Sequence, residues 1–176
     1  MRKIILNVAI SLDAFIEDAS GAYDWCFTDQ DYGMTNFMNS IDTILFGRKS
    51  YELVIKENYA AHYKGYHQYV FSNTLQHLND GADAILVNSN SLSFIQSLKE
   101  QPGKNIWLFG GANLTKFCMQ HQLVDELMLS VHPVLLGSGK PLFEALIKRT
   151  SLQLTNAVTF GSGLVQLQYN VLHTQQ

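Results

Sequence analysis

Three stretches of this chain carry residues suited to holding a negatively charged ligand. The apolar run Ile44-Leu45-Phe46 ends in Gly47, Arg48, Lys49 and Ser50. Ile106-Trp107-Leu108-Phe109 ends in Gly110, Gly111, Ala112, Asn113 and Leu114, and Phe71 leads into Ser72, Asn73 and Thr74. Glycine lets main-chain N–H groups approach an anion with no Cβ between them. A helix starting just beyond adds its free N–H groups and the positive end of its dipole. Arg48 offers a planar fork and Lys49 a point charge to phosphate, while Ser72 and Thr74 offer hydroxyls. Each stretch also has an ordinary reading as a glycine turn, a solvated charge pair or a polar loop. In open α/β sheets, ligands sit outside the carboxyl ends of the strands. Three such ends in one small chain point to a dinucleotide lying across a sheet edge.

Two carboxylates are candidates for proton transfer. Asp13 follows the first apolar run in Ser11-Leu12-Asp13-Ala14-Phe15-Ile16, where apolar neighbours can shift its pKa. The alternative is a turn-forming aspartate bonded to its own backbone. Asp31 divides the same way, between proton donor or substrate anchor and helix cap. Tyr32 can stack on a flat substrate or pack at the core rim, and Glu126 reads as a solvated edge charge. The six histidines have no metal-ligand spacing, which excludes the usual zinc motifs. There is no Gly-x-Ser-x-Gly elbow, and neither Gly137-Ser138-Gly139 nor Gly161-Ser162-Gly163 completes a dinucleotide fingerprint.

Positioning these groups requires strands and helices in alternation. Residues 3–10 form a continuous Ile/Leu/Val-rich run, as expected of a strand buried on both faces. Further strands are expected at 43–46, 68–71, 84–87 and 105–109. Met34, Phe37, Met38 and Ile41 fall at i, i+3, i+4, i+7 and predict a helix face. So do Leu92, Ile95 and Leu98, and then Leu114, Phe117, Cys118 and His121. A helix is also expected through Tyr51, Leu53, Val54 and Ile55. Residues 126–133, 152–160 and 164–172 are β-rich, and Gly161-Ser162-Gly163 marks a hairpin. The pattern predicts an α/β fold with a mainly parallel sheet and an antiparallel addition.

The 176 residues, 47% hydrophobic and 15% charged, fit one domain over 1–176 with one core. A net charge of −3 gives no general attraction to nucleic acid. No run approaches the ~18 apolar residues of a membrane span. Cys26 and Cys118 form no metal or redox pair, so a reduced, cytoplasmic protein is expected.

The motifs together resemble the dihydrofolate reductase-like superfamily. Within it the match is to stand-alone relatives of the C-terminal reductase domain of riboflavin biosynthesis, the RibD C-terminal domain family. The marks are Ser11-Leu12-Asp13-Ala14-Phe15-Ile16, Gly47-Arg48-Lys49-Ser50-Tyr51-Glu52, Phe71-Ser72-Asn73-Thr74-Leu75 and Gly110-Gly111-Ala112-Asn113-Leu114. The most specific is Leu123-Val124-Asp125-Glu126-Leu127 running on to residues 133–143, Pro133 through Gly137-Ser138-Gly139-Lys140-Pro141 to Phe143. The resemblance covers nearly the whole chain. It implies a three-layer α/β/α fold whose mainly parallel sheet ends in an antiparallel C-terminal hairpin. It also implies NADPH over the strand ends, and a homodimer.

By motif match, Gly47, Arg48, Lys49 and Ser50 would hold phosphate. Ser72, Asn73 and Thr74 would face the 2′-phosphate, and residues 110–114 the pyrophosphate. Asp31 lies about as far before Gly47 as the substrate-binding carboxylate of dihydrofolate reductases. The implied reaction is hydride transfer to a C=N or C=O bond of a small pterin- or pyrimidine-like heterocycle, with Asp31 or Asp13 serving the proton. A non-catalytic nucleotide- or metabolite-binding dimer is the alternative. The chain departs from the family at Asn73, where Arg is common, and at Ala14, where Gly is common.

Overall fold

The expected apolar runs pair into one eight-stranded sheet in the computed structural model, which describes residues 1–78, 83–144, 146 and 148–173. Its strands are β1 (Ile4–Ser11), β3 (Ile41–Gly47), β4 (His67–Phe71), β5 (Ala84–Val87), β6 (Asn105–Gly110), β7 (Glu126–His132), β9 (Ser151–Thr159) and β10 (Val165–Leu172). The order is β5-β4-β3-β6-β1-β7-β10-β9. Neighbours from β5 to β7 are parallel, while β10 is antiparallel to both β7 and β9. The antiparallel addition is therefore narrower than the sequence pattern implied. The helix preceding β7 carries the chain back across the sheet, and a crossover of that kind returns a strand in the parallel sense. β2 (Phe15–Asp18) and β8 (Gly139–Pro141) form a separate two-stranded antiparallel ribbon.

Helices cover both faces. α1 (Met34–Ser40), α2 (Arg48–Lys56) and a 3₁₀ turn at Tyr59–Tyr63 lie on one side, where Phe37, Phe46, Tyr51, Val54 and Trp107 form one buried cluster. α3 (Ser91–Glu100) and α4 (Ala112–Gln120) lie on the other, over Ile4, Leu6, Leu45, Ile95, Leu108 and Cys118. Phe46 is fully buried, and truncating such a side chain to alanine costs about 3–5 kcal/mol. Two helix-periodic positions depart from expectation. Ile41 belongs to β3 rather than α1. His121 is the exposed C-cap of α4, its ring 4.5 Å from Phe117, because the helix ends at Gln120, the residue before it.

Buried ion pairs fasten the sheet at the N-terminal ends of its parallel strands. Arg2, 7% exposed, pairs with Asp42 and also donates to Thr43 Oγ1 and the Lys104 carbonyl. Lys99, 9% exposed, donates to the Leu123 carbonyl and the Asp125 carboxylate. Their carboxylate partners are only half-buried, so removing one leaves a buried cation unpaired and destabilises the fold. Among the described residues, no helix is long and apolar enough to cross a membrane.

Candidate active site

The opposite rim, at the carboxyl ends, carries the glycine motifs. Gly47 pairs with Phe71 across β3 and β4, and Phe46 pairs with Gly110 across β3 and β6. All three anion-friendly segments thus leave neighbouring strands on one edge. α2 starts at Arg48 and α4 at Ala112, so two helix N-termini open there, each with first-turn N–H groups lacking helical partners. A Cβ on Gly47 would stand 3.3 Å from both Gly110 O and Gly111 N, and one on Gly111 would stand 3.1 Å from Ser50 Oγ. The peptide between Gly110 and Gly111 is cis.

Side chains around this cradle divide by exposure. Arg48 and Lys49 are exposed. Arg48 lies 3.6 Å from Glu52, a loose surface pair of little energetic weight, which leaves the guanidinium available. The Leu114 side chain is buried, so at residues 112–114 the groups open to this rim are the first-turn backbone N–H groups of α4. Ser72 is buried and its Oγ accepts the Thr74 and Leu75 amides at 3.2 and 3.1 Å. It closes the turn that presents exposed Asn73 and Thr74. Thr115, one turn into α4, is 1% exposed, yet its Oγ1 has no hydrogen-bond partner. A buried hydroxyl left unpaired costs about 1–3 kcal/mol, a cost that a water or a bound ligand reaching it would remove.

Next to the cradle, β1, β7 and β10 turn polar on one face. Asn7 is level with Met128 and Gln168, Ala9 with Ser130 and Gln166, and Ser11 with His132. Between this face and residues 26–34 lies a cavity of about 360 Å³. Asp31 is on its wall, where its Oδ1 accepts Thr35 N and Thr35 Oγ1 at 2.9 and 2.6 Å. Those bonds cap α1 and hold its carboxyl below the usual range, so it is ionised at neutral pH. Asp13 is placed elsewhere. Its oxygens accept Ser11 Oγ at 2.6 Å, Gly137 N at 2.8 Å and Leu136 N at 3.2 Å, tying the loop after β1 to the loop before β8. The Ser11 hydroxyl, then the Gly137 and Leu136 amides, hold it below the usual range as well.

His132 is only 2% exposed. Its Nδ1 lies 3.0 Å from the Ser130 carbonyl, which can only accept, so that nitrogen carries the proton. Nε2 accepts the Phe27 amide at 3.1 Å. Burial holds its pKa below 6.5. Trp25 and Phe27 meet the imidazole edge-on at 5.3 and 5.1 Å. Tyr32 O accepts from Gln166 Nε2 at 3.2 Å, and the Tyr32 hydroxyl donates to Asp29 at 2.7 Å. Burial pushes the Cys26 thiol up to about 11, so it is not a thiolate at neutral pH.

Asn7, Ser130, His132 and Gln166 went unnoticed in the sequence. Their signal is alternation: in β7 the even positions Met128, Ser130 and His132 face the cavity, while Leu127, Leu129 and Val131 pack into the core.

The fold is an α/β fold of oxidoreductase type. A family model described as RibD C-terminal domain matches residues 2–166, and the chain belongs to that family. It is 46% identical to the uncharacterized protein YyaP of Bacillus subtilis, over 96% of this chain and 95% of that one. It is 36% identical to YwjB of the same organism, over 96% and 97%. A putative riboflavin biosynthesis protein from Shewanella sp. PV-4 superposes with TM-score 0.87 at 26% identity, over 98% of this chain and 100% of that chain. A diaminohydroxyphosphoribosylaminopyrimidine deaminase/5-amino-6-(5-phosphoribosylamino)uracil reductase from Thermotoga maritima shares the fold, with TM-score 0.74 at 14% identity, over 97% of this chain and 57% of that one.

Proposed function

We propose that this protein is an NADPH-dependent reductase. It passes hydride to a C=N or C=O bond of a small flat heterocycle, pterin- or pyrimidine-like, held in the cavity beside β1 and β7. The observation that carries the reading is the meeting of Gly47 with Gly110 and Gly111 at adjacent strand ends, next to that cavity. The residues fit a dinucleotide: the glycines leave a cradle that a Cβ would fill, and Thr115 Oγ1 is buried without a partner. Residues 110–114 and Ser50 would hold the pyrophosphate, Arg48 and Lys49 a phosphate charge, and Ser72, Asn73 and Thr74 the 2′-phosphate edge. When bound, the dinucleotide supplies a hydride from its nicotinamide.

The chain's own work is positioning and exclusion of water. Asp31, ionised on the cavity wall, anchors a substrate N–H as an acceptor, and the proton for the reduced product arrives through water. Asp13 serves by fixing the loop beside the site. The pyrimidine class is supported by the uracil in the Thermotoga protein's name.

Titration with NADPH, followed by nicotinamide fluorescence, tests this reading. Saturable binding below millimolar concentration is expected, and none at millimolar would overturn it. One observation favours a non-catalytic binder instead. Asp31 and Asp13 are both held ionised, leaving neither carboxyl as a ready acid. Binding of NADPH with no oxidation across pterins and pyrimidines would select that reading.

A homodimer is part of the proposal. β9 is an edge strand exposed along its whole length, with Leu152 40% and Leu154 54% exposed, and such edges are ordinarily covered. A second copy pairing along β9 covers it. Leu154→Lys should shift the sedimentation coefficient to that of a monomer.

A further inference from the structure

The cavity is as telling for the charges it lacks. The chain has twelve Lys and Arg residues, and none of them lines it. Arg2 and Lys99 are engaged with Asp42 and Asp125 at the far rim. Arg48 and Lys49 stand at the start of α2, on the cradle side. The charged group on the cavity wall is Asp31, an anion. His132 is the wall side chain that could otherwise become a cation. Both its nitrogens are directed at protein backbone, one to the Ser130 carbonyl and one to the Phe27 amide. The remaining polar wall is neutral: the amides of Asn7 and Gln30 and the hydroxyls of Thr28 and Ser130. Apolar surface comes from groups such as Met128 and the Tyr32 ring.

A phosphate ester entering this cavity meets no cation to offset whatever hydration it loses. A dianion beside a carboxylate is also repelled. Neutral amides and hydroxyls instead match the carbonyl and N–H edges of an uncharged ring, and apolar side chains match its faces. From this, and resting on the reading of the cavity as the hydride acceptor's site, we infer that the substrate is an unphosphorylated, uncharged heterocycle donating N–H to Asp31. A phosphorylated form of the same molecule is rejected. The selectivity belongs to this chain's own wall and separates it from reductases whose substrates carry a phosphoribosyl group.

The test is calorimetric titration of the wild-type protein at low ionic strength with two ligands, 6-ribitylaminouracil and its terminal phosphate ester. NADPH is titrated in parallel. The neutral compound should bind at least tenfold more tightly. Gln30→Lys changes an exposed wall residue and leaves the Asp31 cap of α1 intact. It should improve binding of the ester severalfold and so narrow or reverse the preference for the neutral ligand. Equal or tighter binding of the ester to the wild type overturns the inference, as does failure of both compounds to bind. If either happens while NADPH still binds, the inference falls alone and the reductase reading stands. If the neutral preference appears while NADPH fails to bind, the reductase reading falls and the ligand class survives.

Discussion

Gly47 and Gly110 approach so closely across β3 and β6 that a Cβ on Gly47 would lie 3.3 Å from the Gly110 carbonyl oxygen. Gly47 has φ −73°, a value open to any residue. Its glycine is therefore required by proximity and not by backbone conformation. The neighbouring atoms are main chain, so relief needs movement of the strand end itself.

Gly47→Ala should therefore destabilise the fold by about 1–2 kcal/mol, as overpacking against rigid neighbours does. It should also weaken NADPH about tenfold by displacing the Gly110–Gly111 turn. Thermal melts and fluorescence titration measure the two effects. An unchanged affinity would mean that the turn does not hold the cofactor.

Asn73 stands exposed at the end of β4, where a guanidinium could reach a phosphate. Hydrogen bonds to charged groups exceed neutral ones by about 1 kcal/mol. Asn73→Arg should thus raise affinity for NADPH about fivefold and leave NADH nearly unchanged. Equal gains for both cofactors would place residue 73 away from the 2′-phosphate.

The burial of His132 predicts a pH dependence of stability. Its folded pKa is depressed below 6.5, so as pH falls through 6.5 the unfolded chain takes up a proton that the folded chain refuses. The stabilisation is complete above pH 6.5 and is lost progressively as pH drops below it. Urea unfolding from pH 7.5 to 5 should show this loss. His132→Gln should flatten the curve in that window, since a glutamine does not titrate. A wild-type curve as flat as the variant's would mean that the imidazole is solvated.

Ala14 has φ +67°, in the left-handed region that costs a non-glycine residue about 1–2 kcal/mol. Glycine gives back about 0.5–1 kcal/mol in unfolded-state entropy. Ala14→Gly should accordingly stabilise the protein by about 0.5–1 kcal/mol, read as a higher urea midpoint. A lower midpoint would show that the alanine methyl packs usefully.

The central parallel strands of the large sheet were legible because buried strands are continuous apolar runs, β9 and β10 were legible from their β-rich composition, and Gly161-Ser162-Gly163 marked the β9–β10 turn that the structure contains. The β2–β8 ribbon was not legible. Phe15–Asp18 and Gly139–Pro141 carry no period of their own, and their pairing spans more than a hundred residues of chain. Gly139 is the trace it leaves, since a Cβ there would collide with the Glu17 carbonyl. In the candidate site, the cradle was visible because glycines followed apolar runs. The cavity was hidden because its wall is assembled from alternate residues of β1 and β7, Gln166 of β10 and the loop at residues 26–34, each unremarkable until pairing sets Asn7 beside Met128 and Gln166 beside Ser130.

The ion pairs of Arg2 with Asp42 and Lys99 with Asp125 divide labour along the strands. What clamps the protein together sits at one pole, and the proposed cofactor cradle sits at the other. Loops at the cradle pole can therefore be exchanged, lengthened or recharged while the clamp keeps the strands in register. A lineage built this way can acquire a new substrate without first having to relearn how to fold.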